Sequence, residues 1–378
     1  MKPLVDLVAG ARPNFMKLAP VVRALASADA LRYRIVHTGQ HYDEAMTDVF
    51  FAELGIPKPD VHLEVGSGSH GAQTARILER YEAHLVASPP DATVVFGDVN
   101  STVACALAAV KLGVPVAHVE AGLRSFDRTM PEEINRLLTD SIASLLLVTE
   151  SSGVKNLRHE GVPDEKIRLV GNVMIDTLRA WLPTARERQV GRTLGLASRE
   201  YGFVTLHRPS NVDDPQTLVR LLELLHALSK ELPLVFAVHP RTRNVAERAG
   251  VAHLVAPGQP RLICLGPQPY LDTLSLVADS AVVLTDSGGL QEETSVLGVP
   301  CLTMRENTER PVTVDRGTST LVGNDTARIV SAFHDALEQA PGTAAPIPLW
   351  DGNAGTRVAS ELAAWLKVPV VESAGATV

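Results

Sequence analysis

The chain has 378 residues, 45% hydrophobic and 21% charged, enough apolar material for two cores at roughly 100–200 residues per domain. That composition sets aside a disordered chain, a collagen-like chain and a disulfide-stapled miniprotein. Lys and Arg total 35 against 43 Asp and Glu, a net charge of −8; a general nucleic-acid or anionic-membrane binder would be basic, so an anionic ligand needs a local cationic pocket.

The opening stretch Met1-Lys2-Pro3-Leu4-Val5 meets Asp6 and then a glycine turn, without the apolar run or cleavage site of a signal peptide. No run reaches the ~18 apolar residues of a membrane span, so the expectation is a soluble, cytoplasmic protein. Strands are expected at 5–9, 33–37, 92–96, 114–119, 145–149 and 167–170. Helices are expected at 14–27, 46–54, 73–88, 101–112 and 131–142, with Pro20 in the first turns of its helix or kinking it. A charged, helical connector follows at 181–198. The pattern then restarts, with strands at 202–206, 234–238, 261–265, 281–284, 301–304 and 320–322 and helices such as 217–231 and 290–297. A last amphipathic helix covers 353–366, and 372–378 is expected to fray. Cys105, Cys264 and Cys301 lie in separate apolar runs with no CxxC pair, as buried thiols rather than a zinc ribbon or disulfide framework.

Alternating β and α segments with near-continuous Val, Leu and Ile strands predict an α/β protein with parallel sheets covered on both faces. We expect two Rossmann-like domains with a cleft between them. The first covers 1–174 and is completed by a helix at about 355–378; the second covers 175–354. In such sheets ligands bind at the carboxyl ends of the strands.

The chemistry-bearing residues fall just after strands. Gly10-Ala11-Arg12-Pro13-Asn14-Phe15-Met16-Lys17 turns into a helix start carrying two cations, an anion site or a structural turn with solvated charges. Asp98 ends the strand 92–96 before a helix start, where it reads equally as a helix cap. Glu120 follows 114–119, and a structural reading pairs it with Arg124. Met130-Pro131-Glu132-Glu133 has the residue types of any helix N-terminus. Together Asp98, Glu120 and Glu132 can converge, and without a metal motif their use is proton transfer. His207 and Arg208 end the second half's first strand, and His239 sits similarly on the next. Asp286-Ser287-Gly288-Gly289 runs from strand into helix, so its backbone N–H groups can approach an anion. Glu293, about one turn inside, can accept both hydroxyls of a ribose. With Arg305 and Arg310 nearby, a nucleoside diphosphate satisfies these features.

These motifs resemble the non-hydrolysing UDP-N-acetylglucosamine 2-epimerases. GARPNFMKLAP, TGQH, FGDVNST, HVEAGLRS, MPEEINR, LVGNVMID, LTDSGGLQEE and MRENTERP occur in the family's order over about residues 5–325. The resemblance implies a GT-B architecture with the C-terminal helix crossing back to the N-terminal domain. It implies catalytic roles for Asp98, Glu120 and Glu132, and for His207 as catalytic or diphosphate-contacting histidine. It implies a UDP-binding set of Arg12, Lys17, Ser287, Gly288, Gly289, Glu293 and Arg310, with Gln268 and Tyr270 near the uracil. Arg12 and Lys17 would reach the ligand from the opposite domain. The implied reaction removes the C2 proton, expels UDP from C1 to give 2-acetamidoglucal, and re-adds UDP with protonation on the other face. It needs no metal or redox cofactor, and a homodimer is the family's expectation.

The departures matter as well. Asp43 stands where many bacterial members have a Gln that binds a second UDP-N-acetylglucosamine, and 67–72 offers His70 but no Arg. That predicts little activation by substrate. The segment 123–129 is expected to border the sugar and to vary with its identity. The alternatives are a hydrolysing epimerase releasing N-acetylmannosamine and UDP, a GT-B glycosyltransferase, and a non-catalytic UDP-sugar sensor.

Overall fold

A computed structural model describes residues 1–39, 51, 53–339 and 345–367, the side chain of Arg12 excepted. Most of the helix expected at 46–54, Asp43 and the segment 372–378 lie outside the described residues. The chain divides into two compact units, Met1–Thr177 with Pro348–Val378, and Leu178–Ile347.

The first unit is built on a seven-stranded, all-parallel sheet. Its strands are β1 (Leu4–Ala9), β2 (Arg32–His37), β3 (Val61–His62), β4 (Ala92–Phe96), β5 (Val116–Ala121), β6 (Leu145–Val148) and β7 (Ile167–Leu169), in spatial order β3-β2-β1-β4-β5-β6-β7. Every residue of β4, β5 and β6 is buried, as expected of parallel strands covered on both faces. The second unit repeats the plan with β8 (Gly202–Thr205), β9 (Leu234–Ala237), β10 (Leu262–Leu265), β11 (Val282–Thr285), β12 (Cys301–Thr303) and β13 (Ser319–Leu321), ordered β10-β9-β8-β11-β12-β13. Each unit is therefore a Rossmann-like sheet whose direction of winding reverses once, between β1 and β4 and between β8 and β11. Open α/β sheets bind ligands at such switch points.

The structure departs from the sequence reading in three places. The first helix spans Arg12–Ala28, so Pro20 sits in its interior rather than its first turns. Proline has no N–H to give the carbonyl four residues earlier. That carbonyl, on Met16, instead accepts from Thr177 Oγ1 at 2.6 Å. The short strand β3 and the helix Ser151–His159 also escaped expectation; the first is two residues long.

The C-terminal helix Ala354–Trp365 belongs to the first unit. Asp176 caps it, accepting from the Ala354 and Gly355 amides at 3.1 and 2.7 Å. Gly355 permits close packing, since a Cβ there would lie 2.6 Å from the Pro20 carbonyl oxygen. The chain rejoins this unit at Pro348, ahead of the helix, because Trp350 Nε1 donates to the Thr149 carbonyl (3.2 Å) and Arg357 to that of Val170 (2.6 Å). Cys105, Cys264 and Cys301 are buried free thiols. Among the described residues no helix is long and apolar enough to cross a membrane.

Candidate active site

In the first unit, polar side chains gather at the carboxyl ends of β1, β4 and β5. After β1 the chain turns at Gly10, where a Cβ would lie 2.1 Å from Ser101 Oγ. Asn14 Oδ1 accepts from the Gly10 and Ala11 amides (3.4 and 3.1 Å), and its Nδ2 donates to the Phe96 carbonyl at 2.9 Å. Asn14 thus ties the β1 turn to the end of β4. About one turn on, the buried Lys17 ammonium pairs with the buried carboxylate of Glu120. Glu120 lies at φ 76°, where the β5–β6 register shifts. A left-handed non-glycine residue costs of order 1–2 kcal/mol, and the ion pair holds this one in place. Gly97 is needed beside them: its φ is 64°, and a Cβ would lie 2.6 Å from Lys17 Nζ.

The expected pairing of Glu120 with Arg124 is therefore corrected. Arg124 binds Asp140 Oδ2 at 2.7 Å and both oxygens of Glu160 at 2.8 and 2.7 Å. It is drawn there because Asp140, fully buried, needs cationic partners. His118 supplies a second contact, with Nδ1 2.6 Å from Asp140 Oδ1 and Nε2 2.8 Å from the Gly97 carbonyl. Burial opposes ionisation of Asp140, yet His118 and Arg124 together hold its carboxyl below the usual range. Both His118 nitrogens face acceptors, so the ring braces Gly97 and, through it, Asp98.

The N-cap position of the following helix, Asn100–Lys111, is held by Val99 rather than Asp98. Asp98 Oδ2 accepts from Arg136 Nε and Nη2 at 3.0 and 2.8 Å, and the Asp98 carbonyl accepts from Asn135 at 2.8 Å. Arg136 also pairs with buried Glu133. Glu132 lies one turn before Arg136 on the same helix, Pro131–Ile142; it is partly exposed and makes no ion pair among the described residues. The helix that carries Glu132 is thus the one that grips Asp98.

In the second unit the corresponding edge is organised by Asp286, fully buried after β11. Its carboxylate accepts from the His207 and Arg208 amides (2.9 and 2.8 Å), from Asn211 Nδ2 (3.1 Å), and from His207 Nδ1 at 3.0 Å. These donors outweigh burial and keep Asp286 ionised to below the usual carboxylate range. The contact assigns the His207 proton to Nδ1, so Nε2 of this partly exposed ring is an acceptor for chemistry or a ligand. His239 stacks obliquely on it with centroids 5.4 Å apart, and burial lowers its basicity.

Ser287 precedes the helix Gly288–Leu297, whose first-turn amides have no intrahelical acceptors. Gly288 is enforced by Arg310, whose Nη1 would lie 2.8 Å from a Cβ. Arg310 itself is buried between Glu292 and Glu309. Arg305 joins them through Glu309 at 2.7 Å. Glu293, 4% exposed, has its carboxyl pushed up to about 8 by burial and by Glu292, against a smaller opposing influence of Tyr270. The buried Tyr270 hydroxyl, near Glu293, makes no well-formed hydrogen bond, and Arg208 Nε and Arg305 Nη1 are likewise buried without acceptors among the described residues. Buried polar groups of this kind cost roughly 1–3 kcal/mol each when left unpaired. Gln268 donates to the Gly266 carbonyl at 2.9 Å. Gly289 opens the same helix as Gly288, and Arg12 opens the first helix of the chain.

Sequence reading missed Asp140, Glu133 and Arg136, although a signal existed. They recur at i, i+3 and i+7 on the helix Pro131–Ile142, and that charged face is the buried one while Leu138 is exposed. Among the described residues no group of three or more His, Cys, Asp or Glu is arranged to hold a metal ion.

Comparison with known proteins places these edges in context. The family model described as UDP-N-acetylglucosamine 2-epimerase matches residues 23–363. The UDP-N-acetylglucosamine 2-epimerase of Methanococcus maripaludis is 39% identical over 93% of this chain and 96% of its own length. A UDP-2,3-diacetamido-2,3-dideoxy-D-glucuronate 2-epimerase of Pseudomonas aeruginosa is 42% identical over 87% and 91%. The crystal structure of the Methanocaldococcus jannaschii UDP-GlcNAc 2-epimerase with UDP-GlcNAc and UDP superposes with a TM-score of 0.88 at 38% identity, covering 95% of this chain and 99% of that one. The chain belongs to the UDP-N-acetylglucosamine 2-epimerase family.

Proposed function

We propose that this enzyme interconverts UDP-N-acetylglucosamine and UDP-N-acetylmannosamine without net hydrolysis. The observation that carries the reading is the gathering of Asp98, Glu120 and the Glu132-bearing helix at one sheet edge, with Asp98 and Glu120 each held by a buried cation. Inversion at C2 needs acid/base groups on both faces of the sugar. One carboxylate takes the C2 proton as the C1–oxygen bond to UDP breaks, leaving 2-acetamidoglucal and UDP. The UDP oxygen then re-forms its bond to C1 while a second carboxylic acid delivers a proton to the other face of C2. Atoms and charge balance over the cycle, with water excluded from C1.

The nucleotide is assigned to the second unit. The carboxylate of Glu293 accepts the ribose hydroxyls, the Ser287–Gly288–Gly289 turn and its helix start take the diphosphate, and His207 Nε2 faces it. Gln268 and Tyr270 are assigned to the uracil, and Arg12, Lys17 and Arg310 to the charge of the diphosphate.

A second reading concerns the sugar alone. The Pseudomonas relative, about as similar to this chain as the archaeal one, is named a UDP-2,3-diacetamido-2,3-dideoxy-D-glucuronate 2-epimerase. Incubation of the enzyme with UDP-N-acetylglucosamine and, separately, with UDP-2,3-diacetamido-2,3-dideoxy-D-glucuronate tests both readings by product analysis. UDP-N-acetylmannosamine supports the first reading, and turnover of only the second substrate supports the other. Stoichiometric free N-acetylmannosamine and UDP would make the enzyme hydrolysing.

A further inference from the structure

Phe126 is an anomaly twice over. The residue is 77% exposed although aromatic, and its backbone lies at φ 60°. The left-handed region is unfavourable for a bulky residue, and strain of this kind persists only where the surroundings impose it. Here the imposing group is identifiable. Glu133, 1% exposed, uses Oε1 to accept from the Phe126 amide at 3.0 Å and Oε2 to accept from the Ser125 amide at 3.0 Å and hydroxyl at 3.1 Å. The same carboxylate pairs with Arg136, which grips Asp98. One buried ion pair therefore sets both a catalytic carboxylate and the backbone angle that holds an apolar ring in water. Phe126 also lies midway in sequence between Glu120 and Glu132, in the loop joining the two elements that carry them.

We infer that Phe126 is a sugar-contacting, specificity-determining residue whose ring covers an apolar part of the hexose, the C–H face or an acetamido methyl. This rests on the proposed nucleotide-sugar chemistry, but only on its sugar half. Exposed aromatic rings set among a few fixed polar groups are what small-ligand sites use for shape, and moving such a ring out of water on binding is worth about ten- to a hundredfold in affinity.

The test compares Phe126→Gly and Phe126→Tyr with the wild type. Glycine removes the ring and suits the left-handed backbone, so its unfolding temperature is expected to equal or exceed that of wild type. Calorimetry measures affinity for UDP and for UDP-N-acetylglucosamine. UDP binding is expected to stay within about twofold, because UDP has no hexose, while the glycine variant loses about ten- to a hundredfold in UDP-N-acetylglucosamine affinity and in kcat/KM. The tyrosine variant restores both to within a few-fold. If wild type binds the UDP-sugar but does not epimerise it, the binding comparison still decides this proposal separately from the reaction. Unchanged sugar-nucleotide affinity in the glycine variant overturns it. So does a glycine variant that loses UDP and UDP-sugar equally, or one whose only change is dissociation of a dimer in sedimentation, which would make Phe126 a contact between copies of the chain.

Discussion

Replacing Glu293 with Gln should stabilise the unliganded protein and weaken nucleotide binding at once. Burial and the adjacent Glu292 raise the carboxyl of Glu293 from 4.5 to about 8. The folded protein therefore holds this proton more tightly than the unfolded chain does. Stability is fullest below pH 4.5 and falls as pH rises toward about 8, where both states are ionised. At about 1.4 kcal/mol per unit the loss approaches roughly 5 kcal/mol as an upper bound. Glutamine has the shape of the protonated acid and does not titrate. Its unfolding temperature should match wild type near pH 4.5 and exceed it at pH 8, by roughly 2–4 °C for each kcal/mol recovered. Ribose hydroxyls donating to the carboxylate favour its ionised form, so UDP binding at pH 7 should expel most of one proton. Titration calorimetry in two buffers of different ionisation heat measures that release. The Gln variant should release none from this site and bind UDP about a hundredfold more weakly, two charge-assisted hydrogen bonds having been lost. A wild-type protein whose stability follows the Gln variant at every pH, and which binds UDP without proton exchange, would refute the reasoning.

Three further outcomes follow from the same geometry. Asp98→Asn, Glu120→Gln and Glu132→Gln should each lower kcat by about 10²–10⁴-fold while UDP affinity by calorimetry changes little; full rate in all three would remove them from the chemistry. Asp286→Asn presents an amide where His207 Nδ1 now donates, releasing the tautomer that leaves Nε2 as acceptor; the rate should fall at least tenfold, with the Nδ1 and Nε2 shifts in nitrogen NMR moving together with it. Thr177→Val strands the Met16 carbonyl that Pro20 cannot satisfy, and urea unfolding should report a loss of about 1–3 kcal/mol.

What the sequence disclosed follows from where the information lies. Strand runs such as Ala92–Phe96 and the helix Pro131–Ile142 were legible because period and flanking turns are local properties. The residues at strand ends were legible for the same reason: Asp98, Glu120, His207 and the Ser287-Gly288-Gly289 turn all stand where a parallel sheet presents ligands. Partners were not legible, because they come from contacts distant in sequence. Nothing local tells Glu120 to choose Lys17 over Arg124; the choice is made by Asp140, which claims Arg124 from another helix. Nor does sequence show that Asp286 organises His207 across 79 positions. The interior Pro20 is a similar case, tolerated only because Thr177 arrives from a later helix. The strain at Phe126 is a backbone angle, which residue types alone do not encode.

The central claim is proton exchange at C2 by enzyme carboxylates with UDP retained. Running the reaction on UDP-N-acetylglucosamine in D2O and examining the products by proton NMR and mass spectrometry tests it directly. The account predicts UDP-N-acetylmannosamine carrying one deuterium at C2, since the proton leaves one face to a carboxylate and returns from another, with free UDP and free sugar only as minor products. Epimer formed with the original C2 hydrogen retained in every turnover would contradict the two-group mechanism, and deuterated free N-acetylmannosamine as the main product would contradict retention of UDP.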